Sequence, residues 1–229
     1  MQIQALSEAV HKNAVEHGWW DGERNLFEII ALIHSEWSEA LEEARAGSPL
    51  VYYRCFICNE GPCIKEEIPA YEKCAFQTEH HKPEGIAIEL IDGVIRILDL
   101  FGYVGIQYAD RETGYPASME SLWGKAAVTE NAPEDAPTLI AFLHRFTSDA
   151  ILDDEEADFD ASSLLAAMSL ALTWVHEQGI DPMKLLTENT NTTKRGPIST
   201  VKHSEKRGAD YANRQLRQGT YTVYGVCDR

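Results

Sequence analysis

The chain has 229 residues, 44% of them hydrophobic, which is enough for a buried core in one large domain or two small ones. Its 37 acidic residues against 20 Lys and Arg leave a formal net charge of −17, and this excludes the net basic surface that nucleic acid or an acidic membrane requires of a partner. If such a protein handles phosphates, it has to bring a cation.

No apolar run approaches the roughly 18 residues of a spanning helix, and the N-terminal MQIQALSEAVHKNAVEHGWW lacks the apolar core of a signal peptide. Five cysteines, an odd number, do not form a disulfide framework and fit a reduced compartment, so a cytoplasmic location is expected. Helical periodicity dominates, which predicts an all-α architecture; an alternating strand pattern is confined to the last ten residues.

In chain order, residues 3–17 form an amphipathic helix stopped by Gly18 and followed by Trp19 and Trp20. Residues 24–45 form an acid-rich helix stopped by Gly47 and Pro49. Residues 48–83 break the pattern as an insert with Pro, Gly and cysteines, and Pro83 opens a long apolar helix that reaches Phe101. Residues 105–136 read as a loop with a short helical piece over 119–127. Two helices follow, over 137–152 and 162–178, separated by the acidic DDEEADFDA, with Asp160 or Ser162 as N-cap.

Beyond GIDPMKLLTENTNTTKRG the composition turns basic, with Lys194, Arg195, Lys202, Lys206, Arg207, Arg214 and Arg217. Residues 196–229 form a tail that either packs on its own acidic body or crosses to a partner subunit.

The carboxylates are the most informative residues. At about 100° per residue, Asp92 lies near −60°, Arg96 near −20° and Asp99 near −80° from Glu89, and every other residue from Ile86 to Phe101 is apolar or glycine. A charged stripe this narrow on a greasy helix faces a crevice. On the preceding helix, Glu36, Glu39 and Glu43 share a similar arc at the border of the apolar side made by Ile29, Ile33, Trp37 and Ala40, whereas Glu42 turns to solvent with Ser35 and Ser38.

Each helix therefore offers carboxylates at i, i+3: Glu36 with Glu39, and Glu89 with Asp92. Packed antiparallel, the helices bring four carboxylates together, and such a set near a core has to protonate, pair with cations or hold a metal. All-oxygen ligation selects a hard ion, Mg²⁺ above others at a phosphate site because it keeps positions for water and substrate oxygens.

HSEWSEALEEAR followed by KPEGIAIELIDGVIRILDLFGYVGI resembles the MazG-like branch of the all-α nucleoside triphosphate pyrophosphohydrolases, whose pattern is ExxE, a spacer, then ExxD. Glu36, Glu39, Glu89 and Asp92 occupy those positions. The resemblance extends to NAVEHGWWD and to WVHEQGIDPMKLLTENTNTTKRG, with a spacer longer than the family's and Lys194 where an arginine is expected. It implies a MazG-like helical domain over residues 1–195 that cleaves a (deoxy)nucleoside triphosphate between the α and β phosphates.

The resemblance implies that Glu36, Glu39, Glu89 and Asp92 hold Mg²⁺, with Mn²⁺ as a substitute, and that one of the glutamates also takes the proton of an attacking water. Arg96 is a candidate for phosphate contact or for orienting a ligand carboxylate, against a plain intrahelical pair with Asp92 or Asp99. Lys194 and Arg195 are candidates to neutralise the leaving pyrophosphate. Trp20, with Trp19, is a candidate to stack on a base, against core packing at the helix corner, and Asn25 is a candidate base-edge contact.

Cys55, Cys58, Cys63 and Cys74, with His80 and His81 following, either form a structural Zn²⁺ knuckle that folds the insert or are plain thiols. The apolar helices expect a homodimer or homotetramer. The competing reading is a non-catalytic helical interaction protein that uses the cysteine insert and the charged tail for partner binding.

Overall fold

The computed structural model describes residues 2–22, 24–55, 81–109, 118–119, 122, 132–151, 159–192 and 222–224. Among them are six helices and four short strands, so the chain is mostly helical. The helices are α1 (Ile3–Glu16), α2 (Leu26–Ala46), α3 (Ile86–Val104), α4 (Ala136–Asp149), α5 (Ala161–Glu177) and α6 (Pro182–Thr192).

Helix α3 is the axis of the fold and packs against α1, α2, α5 and α6. Its sequence explains the position, because Ala87, Leu90, Ile91, Val94, Ile97, Leu98, Leu100 and Phe101 are all fully buried and cover most of the circumference. Helix α2 is shared between α3 and α4, and α4 in turn packs on α5. Helix α2 opens where the Asn25 side chain accepts the Glu28 N–H at 2.8 Å and closes at Gly47 in the left-handed conformation. Asp160 rather than Ser162 caps α5, accepting from the Ser162 N–H at 2.9 Å.

The strands depart from the sequence expectation. β1 (Tyr52–Cys55) pairs antiparallel with β2 (His81–Glu84), Tyr52 opposite Glu84, and β3 (Gln107–Ala109) pairs in parallel with β4 (Thr222–Tyr224). Only β4 falls in the segment with a strand pattern, since three- and four-residue strands are too short for a period of two to show. Pro83 accordingly lies in β2, and α3 starts three residues later, after Gly85. That glycine has φ 113°, and a Cβ there would meet the carbonyl oxygen of Pro49 at 2.6 Å, so the turn into α3 admits no side chain.

Helix α6 was not among the expected helices, although its start is signalled: Pro182 opens it and the Asp181 side chain accepts from the Met183 and Lys184 N–H groups. The helical piece expected over 119–127 lies outside the described residues except for Met119 and Leu122, both buried. No described helix is long and apolar enough to cross a membrane.

Candidate metal centre

The seam between α2 and α3 is set by one close approach. Trp37 is fully buried, and its ring lies so near Gly93 that a Cβ there would overlap it. The indole N–H reaches across to donate to Thr147 Oγ1 of α4 at 2.9 Å, which fixes the ring. Glu36 precedes Trp37 and Asp92 precedes Gly93, so the contact that locks the helices also brings their carboxylates level.

Glu36, Glu89 and Asp92 each place a carboxylate oxygen within 4.8 Å of the others. Glu36 and Glu89 are buried and Asp92 is half-buried. Around a Mg²⁺ at about 2.1 Å from its ligands, neighbouring oxygens stand about 3 Å apart and opposite ones about 4 Å. Oxygens separated by up to 4.8 Å stand wider than those spacings, so the three carboxylates would have to close in to share one ion, while their all-oxygen chemistry is of the kind a hard cation takes.

The fourth carboxylate of the expected set stands apart from this group. Glu39 is exposed, and its Oε1 accepts from Ser35 Oγ at 3.2 Å. The 60° or so between positions i and i+3 turns it from the α2–α3 seam toward solvent, whereas Glu36 shares the side of Ile33 and Ala40.

Arg96 occupies the rim. Its Nε donates to Glu36 Oε1 at 2.9 Å, an ion pair across helices beside the expected intrahelical positions of Asp92 and Asp99. Its guanidinium carbon lies 4.4 Å from the centroid of the Trp19 ring, a cation–π contact. Arg24 also holds Trp19, its Nε donating to the Trp19 carbonyl at 2.7 Å and its guanidinium carbon lying 5.7 Å from the ring centroid.

Asp99 belongs to a separate network. It accepts from Trp20 Nε1 at 3.0 Å and lies 2.8 Å from His11 Nδ1, while the Trp20 ring stacks on Tyr103 at 4.2 Å. Trp20 thus has one face against protein and ties the α1–α2 corner to α3, and Asn25 is occupied as the α2 cap. Lys194, Arg195, Cys58, Cys63 and Cys74, with His80, lie outside the described residues, and Cys55 is described only as the end of β1.

One pair was not singled out from sequence. His34 of α2 and His144 of α4, 110 residues apart, place their Nδ1 atoms at 2.8 Å. With ring planes within 10° and centroids 5.1 Å apart, the separation is what the N···N distance plus two ring radii adds up to, so the rings meet edge to edge. Ser148 Oγ stands 3.5 Å from the far nitrogen of His34. Burial holds the proton affinity of both rings below the ordinary histidine value, and the neighbouring charge of His144 lowers that of His34 further. Each histidine is unremarkable in its own helix, and only the α2–α4 packing joins them.

Comparison with protein-family models, with curated proteins and with solved structures gives no match.

Proposed function

We propose that the protein is a Mg²⁺-dependent nucleoside triphosphate pyrophosphohydrolase of the MazG-like kind, releasing a monophosphate and pyrophosphate. The observation that carries the reading is the convergence of Glu36 with Glu89 and Asp92 across two helices, at the positions that the ExxE and ExxD pattern singles out. Three carboxylates gathered at the edge of a core, two of them buried, offer the oxygen donors that a hard divalent ion takes, and a triphosphate needs such an ion to approach an acidic chain.

Glu36, Glu89 and Asp92 would hold the cation, which when bound supplies charge to the phosphates and lowers the pKa of a bound water. One of the glutamates of this group also accepts a proton from the attacking water, while Glu39 lies exposed one turn along α2 from Glu36. Arg96 at the rim contacts a phosphate, and Lys194 and Arg195 neutralise the leaving pyrophosphate. Assembly as a homodimer or homotetramer would cover Phe27, 59% exposed, together with Val15, Phe142 and Ile151. A cytoplasmic role in nucleotide pool control goes with this reading.

The test is incubation with a panel of ribo- and deoxynucleoside triphosphates and Mg²⁺, following pyrophosphate release, with Glu36→Gln as the control. Release by the wild type that falls roughly 100-fold in Glu36→Gln supports the reading. No release from either protein, or equal release from both, rejects it in favour of a non-catalytic interaction protein.

A further inference from the structure

A carboxylate cluster at the edge of a core cannot wait for its metal without a counter-charge, because desolvation penalises every unpaired carboxylate. Arg96 supplies one. It reaches Glu36 Oε1 at 2.9 Å, and its side chain is 21% exposed, so the guanidinium has a path to solvent. Its carbon rests 4.4 Å from the centroid of Trp19, an aromatic platform outside the carboxylate set. Glu36 therefore belongs to two arrangements at once: it is an acceptor for Arg96 and a member of the three-carboxylate group.

We propose that Arg96 is a resident counter-cation that yields Glu36 to an incoming divalent ion and, once released, becomes the anion-binding group of the same site. The proposal rests on the metal reading above. A guanidinium Nε–H held against a carboxylate oxygen and a metal drawing on that oxygen compete for the same electron pairs and the same local charge balance. Displacement of Arg96 leaves a planar fork at the rim, one helical turn from Asp92, with the geometry to grip two oxygens of a phosphate. Arg96 thereby makes anion binding conditional on metal binding: without the ion it is spent on Glu36, and with the ion it is available to a phosphate. Trp19 reports the change, because its ring loses or alters the cation at its face when Arg96 moves.

The experiment titrates the full chain with Mn²⁺, reading free ion by electron paramagnetic resonance and tryptophan emission in parallel. The wild type is compared with Arg96→Gln, Arg96→Lys and Trp19→Phe. Binding of Mn²⁺ to the wild type is expected to change the emission, and Trp19→Phe and Arg96→Gln are expected to lose that change. Arg96→Gln, relieved of the competitor, is expected to bind Mn²⁺ roughly tenfold more tightly. Inorganic pyrophosphate is expected to bind the wild type only with Mn²⁺ present and to bind Arg96→Gln at least tenfold more weakly.

Should Arg96→Gln fail to fold, Arg96→Lys keeps the charge while losing the planar group. It is expected to bind Mn²⁺ more tightly than the wild type and to show a diminished Trp19 response. Mn²⁺ binding that leaves Trp19 emission unchanged, or that is no tighter in either Arg96 variant, overturns the displacement while leaving the metal site standing. Failure of the wild type and of every variant to bind Mn²⁺ overturns the metal reading itself, and the displacement with it.

Discussion

The ring of Trp37 lies directly against the backbone of Gly93, with no room for a β-carbon between them. This contact sets the spacing of α2 and α3, and the acidic group inherits its geometry from it. Gly93→Ala is expected to force the helices apart, and the strain of an overpacked site outweighs the gain in helix propensity, for a net loss of roughly 1–3 kcal/mol. Urea unfolding measures the loss, and Mn²⁺ affinity is expected to fall with it. Unchanged stability would mean that the Trp37 ring has another place to go.

Thr147 is fully buried and its hydroxyl oxygen accepts the Trp37 N–H, so the same ring is held from the α4 side. Thr147→Val keeps the shape and removes the acceptor, leaving a buried indole N–H unpaired, for an expected destabilisation of about 1–3 kcal/mol. Trp37→Phe is expected to cost less in that background than in the wild type, because the donor it removes is already unpaired; a thermal or urea double-mutant cycle measures the coupling.

The four carboxylates are expected to divide by role. Glu36→Gln, Glu89→Gln and Asp92→Asn remove members of the converged group and are expected to lose metal affinity as well as turnover. Glu39→Gln, on the exposed side of α2 and turned from the converged group, is expected to keep metal affinity and most of its turnover. Calorimetric metal titration beside pyrophosphate release separates the two, and a Glu39→Gln protein that no longer binds metal would move Glu39 into the ligand set.

His34 and His144 give the α2–α4 packing an acid limit. Only one proton fits on the line between two facing Nδ1 atoms, so the contact survives one charge but not two. Both rings have lowered proton affinity in the folded chain, mainly through burial. As the pH falls below the ordinary histidine value near 6.5, the unfolded chain takes up protons that the folded chain refuses. The stability contribution is therefore complete above that pH and declines below it, until the folded rings titrate as well. Thermal melts between pH 8 and 5 are expected to show this decline, and His144→Asn is expected to flatten it; an identical slope in the variant would assign the acid sensitivity to other groups.

The sequence by itself determined the helices that matter most. The burial stripe of α3, the acid-rich α2 and the two later helices follow from periodicity, because a helix with one wet face writes its orientation into the spacing of its apolar residues. Glu36, Glu89 and Asp92 were legible for the same reason, as charges placed where those helices have to pack. Short strands carry too few residues for a period to appear, so the β1–β2 pair was hidden in the insert.

Only the tertiary structure decided which charges meet. A helical wheel gives an angle about one axis, whereas a contact also depends on how far a second helix is rotated and displaced, and here Trp37 against Gly93 sets both. That packing draws Glu36 to Glu89 and Asp92 while leaving Glu39 in solvent, pairs Arg96 with Glu36 across 60 residues, and joins His34 to His144. These are long-range relations between side chains that are ordinary within their own segments, so no local pattern records them.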